Sequence, residues 1–286
     1  MRFRWDWLAP VVQAPYVPTL GPVQPGALSA CVFDAVMSVA GTGRFLPYDK
    51  DRRWSARKDE RVITEGVIHR PGLTVIPTLS TRGQGVVKIH HYGTGAPDPD
   101  EVANWSRKWS AAYGVGSCTL LWLQDSPDGA RTRLMLKAYG DKDRAEHDAR
   151  VVKLGHCEVA STFPAFAGQL AEDGFAFLHR RMKAGLSDGP ILVAVDDRRI
   201  VGAVGPLATM PGADGTLMVP PQYYAVHPGY RRRGHGRALW RASMAWGHKN
   251  GAAYKVLQTE AGGPSELLYQ SEGLVTLGFL CRRQLN

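Results

Sequence analysis

The 286-residue sequence holds only four cysteines. Cys31, Cys118, Cys157 and Cys281 are scattered, without the short paired spacings that grip a metal. His90-His91 and His156-Cys157-Glu158 do not complete a zinc pattern either. The reading is a protein without a metal, kept in a reducing compartment, the cytoplasm. No stretch approaches the ~20 consecutive apolar residues of a membrane span. After Arg2 and Arg4 no adequate apolar run follows, so the start is not read as a signal peptide. Acidic charge is missing over a long interval. From Gly215 to Thr259 there is no Asp or Glu, while Arg231, Arg232, Arg233, Arg237, Arg241, Lys249 and Lys255 all fall there. The whole chain carries +9, so this interval holds much of the excess. A basic mouth of this kind attracts polyanions and speeds their encounter.

Residues 226–239 in that interval read Val-His-Pro-Gly-Tyr-Arg-Arg-Arg-Gly-His-Gly-Arg-Ala-Leu. An apolar strand, Tyr223 to Val226, runs into a Pro turn, three arginines, Gly234-x-Gly236, and a helix with Leu239 facing inward. A glycine loop that opens a helix presents backbone N–H groups to an anion. The helix dipole adds about half a positive charge at that end. The chemistry implied is capture of a phosphate or pyrophosphate. Two familiar phosphate loops are excluded. Gly-x-x-x-x-Gly-Lys-Ser/Thr is absent, and the third glycine of Gly-x-Gly-x-x-Gly is missing.

The segment resembles the acyl-CoA loop of the GCN5-related N-acetyltransferases, whose pattern is Val-x-Pro-x-x-Gln/Arg-x-x-Gly-x-Gly/Ala-x-x-Leu. Val226, Pro228, Arg231, Gly234, Gly236 and Leu239 fill its six anchors in register. The resemblance implies a mixed, mostly antiparallel α/β (α+β) sheet flanked by helices, covering about residues 155–286. The order of elements agrees with it. Ser161 to Ala184 is helix-like, interrupted at Gly174. Ile191–Val195 and Ile200–Val204 form a hairpin about Asp196-Asp197-Arg198-Arg199. Thr216 to Val226 is one strand feeding the arginines, with Pro220 and Pro221 early in it. A helix follows from Gly236 to Lys249, with Leu239, Ala242, Ser243 and Trp246 as its core stripe. Asn250-Gly251 stops it. Ala253–Thr259 is a strand, Pro264–Glu272 a short helix and Leu274–Cys281 a last strand.

The resemblance also implies the chemistry. Acetyl-CoA is the acyl donor, with no metal. Its pantetheine arm lies along the backbone of Tyr224, Ala225 and Val226. Its pyrophosphate meets Arg231, Arg232, Arg233, Gly234, His235, Gly236 and Arg237. A primary amine attacks the thioester directly, with no acyl-enzyme. Tyr269, on the penultimate helix ahead of Gly273, stands where the family keeps the acid that protonates the departing thiolate. The family's strand glutamate is absent, and Glu260, at the end of the next strand, is the nearest carboxylate for a base. One of Tyr223 and Tyr224 faces the site and the other packs behind. His227 takes the variable position between Val and Pro and should face solvent. Gly262 stands where the family often has an asparagine. Glu172 and Asp173 could meet a cationic acceptor.

At 286 residues the chain fits two domains. Residues 1–25, with Pro10, Pro15, Pro18, Pro22 and Pro25, read as an extended arm. Residues 26–150 read as a second, smaller α/β domain, and residues 151–286 as the acyltransferase domain. In the former, Leu28–Val39 is a helix, and Val62–Ile68, Leu73–Leu79 and Val86–Tyr92 are strands. Asp98 caps a helix that runs to Tyr113, with Pro99 in its first turn and Glu101 closing a capping box. Trp105 and Trp109 are read as core. Cys118–Gln124 and Arg131–Ala138 form a hairpin around Ser126-Pro127-Asp128-Gly129. The order echoes the C-terminal half, and a degenerate second copy of the fold is one reading of it. Asp98, Asp100 and Glu101 at its helix start would repel a pyrophosphate, so one active site is expected. The partners expected are a small-molecule or peptide amine; a homodimer is left open, and neither a membrane nor nucleic acid is expected. The alternatives are a non-catalytic acyl-CoA sensor or interaction protein, and a basic nucleic-acid-binding module.

Overall fold

The structure is a computed structural model and describes residues 3–8, 14–93, 96–129, 132–144, 148–186 and 188–285. Arg2, Pro10 and Arg131 lie outside the described residues. The main elements run in the following chain order. First come α1 (Ala30–Ser38), β1 (Glu60–Val62), β2 (Ile68–Arg70), β3 (Leu73–Ser80), β4 (Val86–Gly93), α2 (Pro99–Tyr113), β5 (Cys118–Gln124) and β6 (Thr132–Ala138). Then come β7 (Val151–Lys153), α3 (Phe163–Gln169), α4 (Phe175–Lys183), β8 (Leu192–Asp196) and β9 (Arg199–Gly205). Last are β10 (Leu217–Met218), β11 (Tyr223–Val226), α5 (His235–Lys249), β12 (Tyr254–Glu260), α6 (Pro264–Ser271) and β13 (Val275–Leu285). Among the described residues, no helix is long and apolar enough to cross a membrane.

The chain divides into two compact units. Unit 1 comprises Met1–Leu136, Pro211–Gly215 and Val256–Asn286; unit 2 comprises Lys137–Met210 and Thr216–Lys255. This division by contacts differs from the sequence division at residue 150, because the last strand and its preceding helix belong to unit 1.

In unit 1 the sheet order is β6-β13-β5-β4-β3-β1, with β2 also on β3. The expected hairpin of β5 and β6 is corrected here. Both strands form, but β13 lies between them, antiparallel to each, with Leu280 opposite Leu123 on one side and Thr132 on the other. The strand read as Leu274–Cys281 therefore runs on to Leu285, and its polar end pairs with β5. The run read as Val62–Ile68 is also corrected. It breaks into β1 and β2 around a 3₁₀ turn at Thr64–Gly66. Gly66 explains the break, since a Cβ there would lie 2.6 Å from Pro77 and 3.0 Å from Trp109. Of the described residues near the start of the chain, Phe3, Leu8, Val17 and Leu20 join α1, Ile76 and Tyr92 in one core. On the other sheet face Val102 and Trp109 of α2 pack on Val75, Val87, Ile89 and Leu120. Trp105 stacks on Trp109 with centroids 6.2 Å apart, as core residues.

Unit 2 is built on the antiparallel sheet β7-β8-β9-β11. Residues alternate across it. Val193, Ile200, Ala203 and Ala225 face Phe163, Phe166, Phe175 and Leu178 of α3 and α4. Leu192, Ala194, Val201 and Val204 face Ala238, Leu239 and Ala242 of α5. The β8–β9 hairpin turns on Asp197 and Arg198, both with positive φ (48° and 56°), between the paired Asp196 and Arg199. That is the two-residue turn whose twist suits a hairpin. The strand expected from Thr216 to Val226 is two pieces. Pro220 and Pro221 have no N–H to give to a ladder, so β10 ends before them and β11 starts after. β10 instead pairs in parallel with β12, Met218 opposite Tyr254.

Candidate anion-binding site at the start of the α5 helix

The site grows from the edge of the unit 2 sheet. β11 pairs with β9 along one side, Gly205 opposite Tyr223 through Gly202 opposite Val226, and stands at the end of the sheet order. Gly202 lets α5 approach: a Cβ there would lie 2.8 Å from Leu239 Cδ1 and 3.2 Å from the Ala225 carbonyl. Leu239 is wholly buried in that contact, a burial that contributes about 1.5–3 kcal/mol.

From Val226 the chain enters a 3₁₀ turn at Pro228–Tyr230. His227 caps it, its Nδ1 accepting the Gly229 N–H at 3.2 Å and its ring meeting Tyr230 edge-on. The residue expected to face solvent is half-buried and holds the turn. Arg231 and Arg233 also shape the loop. Arg231 Nε donates to the Val226 carbonyl at 3.2 Å. Arg233 lies 3.8 Å from Asp196 and over the Tyr230 ring at 4.9 Å. Arg232, at φ 63°, swings the chain toward Gly234.

Gly234 is the N-cap of α5, at φ 89°, a left-handed conformation that glycine adopts without strain. It has no side chain to cap the helix. The first backbone bond back along the helix runs from Ala238 N–H to the Gly234 carbonyl, at 3.0 Å. The earlier N–H groups have no acceptor within the helix and point along its axis. Tyr224 braces this turn, its hydroxyl donating to the Gly236 carbonyl at 2.7 Å. Tyr223 is turned to the opposite face, against Phe175 and Phe177. His235 is 2% exposed, with Nε2 3.1 Å from Asp196 Oδ2. Its side chain thus anchors the helix start from below, and only its backbone can face an anion. Arg237 is exposed on the first turn.

The same chain contains a contrasting helix start. The α2 N-cap, Asp98, accepts from the N–H groups of Asp100 (2.8 Å) and Glu101 (3.1 Å) with one oxygen. Those donors are consumed by an internal carboxylate, and Asp100 adds a further negative charge. Glu101 is turned toward Arg70, at 3.7 Å. In unit 1 the strand leading to α2 and the strand after it are zipped in parallel, from Val87 opposite Cys118 to His91 opposite Trp122. No edge is left there for an extended ligand.

Tyr269 and Glu260 belong to unit 1. Tyr269 is buried, and burial pushes its phenol up to about 12, partly offset by a hydrogen bond with Ser265. Glu260 is exposed and lines a groove of about 720 Å³ with Gln258, Thr259, Arg282 and Arg283. Gly262 has φ 77° and donates its N–H to Glu266, which accounts for glycine at that position. Glu172 and Asp173 are exposed in the turn before α4. Among the described residues, no group of three or more His, Cys, Asp or Glu is placed to hold a metal. Sequence reading missed the Asp196–His235 pair, the Tyr224 brace, and Arg150, whose guanidinium borders Gly234. No local motif announces any of the three.

No curated protein matches the chain. Several solved structures are similar over most of its length. A GCN5-related N-acetyltransferase from Sphaerobacter thermophilus is 12% identical, with 87% of this chain and 93% of that one covered and a TM-score of 0.45. A GCN5-related N-acetyltransferase from Kribbella flavida is 16% identical, covering 76% and 87%, with a TM-score of 0.44. A tandem GNAT protein from the clavulanic acid biosynthesis pathway is 12% identical, covering 98% and 94%, with a TM-score of 0.49. Residues 187–273 match the acetyltransferase (GNAT) domain family, and this segment spans β8, β9, β10, β11, the arginine loop, α5, β12 and α6. On that match, residues 187–273 of the chain carry an acetyltransferase (GNAT) domain.

Proposed function

We propose that the protein transfers acetyl from acetyl-CoA to a primary amine of a small molecule or peptide, by direct attack and without an acyl-enzyme. The observation that carries this reading is the open helix start. Within one chain, the α5 N-terminus is capped by a glycine and fed by an edge strand, while the α2 N-terminus is closed by its own aspartate. The first is suited to a pyrophosphate and the second is not. The backbone edge of Tyr224, Ala225 and Val226 would pair with the amides of the pantetheine arm. The N–H groups from Gly234 to Arg237 would receive the pyrophosphate, with Arg232 and Arg237 adding positive charge.

Two further residues are proposed for the transfer itself. Tyr269 would protonate the departing thiolate. A phenol raised to about 12 stays protonated at neutral pH, as a donor must. Glu260, the nearest carboxylate in sequence after the acid-free interval, would take the proton from the attacking ammonium. The test is release of free thiol from acetyl-CoA against a panel of primary amines and N-terminal peptides. Amine-dependent release supports the reading. Saturable cofactor binding with no release for any amine contradicts it as a transferase.

A further inference from the structure

The mouth of the α5 loop contains a charge pair from outside the loop. Arg150 stands one residue before β7, its carbonyl accepting the Val195 N–H at 3.0 Å. A Cβ built on Gly234 would lie 3.7 Å from Arg150 Nη2 and meet nothing else within 4 Å. The guanidinium thus borders the N-cap of α5. Asp148 holds it in a fork, with Nε to Oδ1 at 2.9 Å and Nη2 to Oδ2 at 2.6 Å. The Arg150 N–H also donates to Asp148 Oδ1, at 2.9 Å, which fixes the carboxylate relative to the strand. Both side chains remain open to solvent, at 48% and 32% exposure. The fork uses two of the five N–H donors of a guanidinium, leaving the others for a second anion. Asp148 is anionic throughout the working range, because Arg150 pulls its carboxyl down to about 2.

We propose that Arg150 is a ligand for the pyrophosphate of coenzyme A, and that Asp148 is its orienting counter-ion in the free protein. The inference rests on the coenzyme A reading given above. Arg231 and Arg233 are engaged in shaping the loop. Arg150 instead approaches Gly234 from the residue before β7 and brings the planar donor set that suits phosphate oxygens. Asp148 has two opposed effects: it aims the guanidinium, and it repels the arriving anion. A pair that served only to stabilise the strand would lose from removal of either member. A ligand and its counter-ion respond with opposite signs.

The experiment is calorimetric titration of the full chain with acetyl-CoA and, separately, with 3′-dephospho-coenzyme A. For Arg150→Ala we expect a loss of about tenfold in affinity for both ligands. Arg150→Lys, which keeps the charge but loses the fork, should fall between wild type and Ala. Asp148→Asn should bind about twofold to fivefold more tightly, with the gain fading at high salt. Equal affinity of Arg150→Ala and wild type overturns the proposal. So does weakening by both Arg150→Ala and Asp148→Asn, which marks a structural pair. A loss confined to acetyl-CoA also overturns it, because the contact would then be to the 3′-phosphate. Wild-type protein that binds neither ligand overturns the coenzyme A reading and this proposal with it. Wild-type binding with an indifferent Arg150 overturns this proposal alone.

Discussion

Gly234→Asp converts the open helix start of α5 into a likeness of the closed one of α2. Space is not the obstacle, since a Cβ on Gly234 would meet only Arg150 Nη2, at 3.7 Å. The cost to the fold has two parts of opposite sign. A left-handed φ of 89° costs a non-glycine residue about 1–2 kcal/mol. A carboxylate at the positive end of a helix returns about 0.3–1 kcal/mol. The net cost is about 0–1.7 kcal/mol, small against the stability of a folded domain, so the variant stays folded. Binding is a different matter. A carboxylate about 5 Å from a phosphate, at an effective dielectric near 20, costs about 3 kcal/mol. That is a loss of more than about a hundredfold in affinity, before counting the N–H donors the aspartate takes for itself. The assay pairs a thermal melt with an acetyl-CoA titration. A small shift in Tm with lost binding is the expected result. A folded variant with unchanged affinity would refute the placement of the pyrophosphate at this helix start.

Three more outcomes follow from the same contacts. Tyr224→Phe removes the hydroxyl that holds the Gly236 carbonyl; denaturant unfolding should show a loss of about 1 kcal/mol, with weaker acetyl-CoA binding. Tyr269→Phe should keep cofactor affinity and lose most thiol release. Its pH behaviour is separable from that. The folded phenol lies above its unfolded value, so its stabilising effect is complete below about pH 10 and is lost as pH rises toward 12; Tyr269→Phe should therefore flatten the alkaline fall in stability measured by circular dichroism. Deleting residues 275–286 removes the strand that lies between β5 and β6. Unit 1 should then fail to fold, seen as loss of cooperative unfolding, and a truncated chain that melts like the full one would contradict the sheet order.

Much of unit 2 was legible because its signals are local. The β8–β9 hairpin shows two apolar runs and a polar turn. The α5 helix shows a glycine before it, a stripe at helical spacing and Asn250-Gly251 after it. The Asp98 cap of α2 was likewise visible in four consecutive residues. What was missed depends on partners far apart in sequence. β5 and β6 look like hairpin arms, because strands joined by a Pro-Asp-Gly turn usually pair with each other. β13 comes from roughly 150 residues away and displaces that pairing. Its polar end, Arg282 to Gln284, gives no strand signal of its own and is ordered by the ladder with β5. The site divides in the same way. The glycines and arginines of the loop announce themselves by spacing, but their separate duties do not. That Arg231 and Arg233 hold the loop, that His235 turns inward to Asp196, and that Arg150 borders Gly234 are consequences of packing between strands.

The most direct measurement is calorimetric titration of the pure protein with acetyl-CoA and with plain coenzyme A. The account predicts saturable one-to-one binding of both in the micromolar range, on the order of −8 kcal/mol, lost in Gly234→Asp. No binding of either by a folded protein would contradict it, leaving the glycine and arginine loop as a structural feature alone.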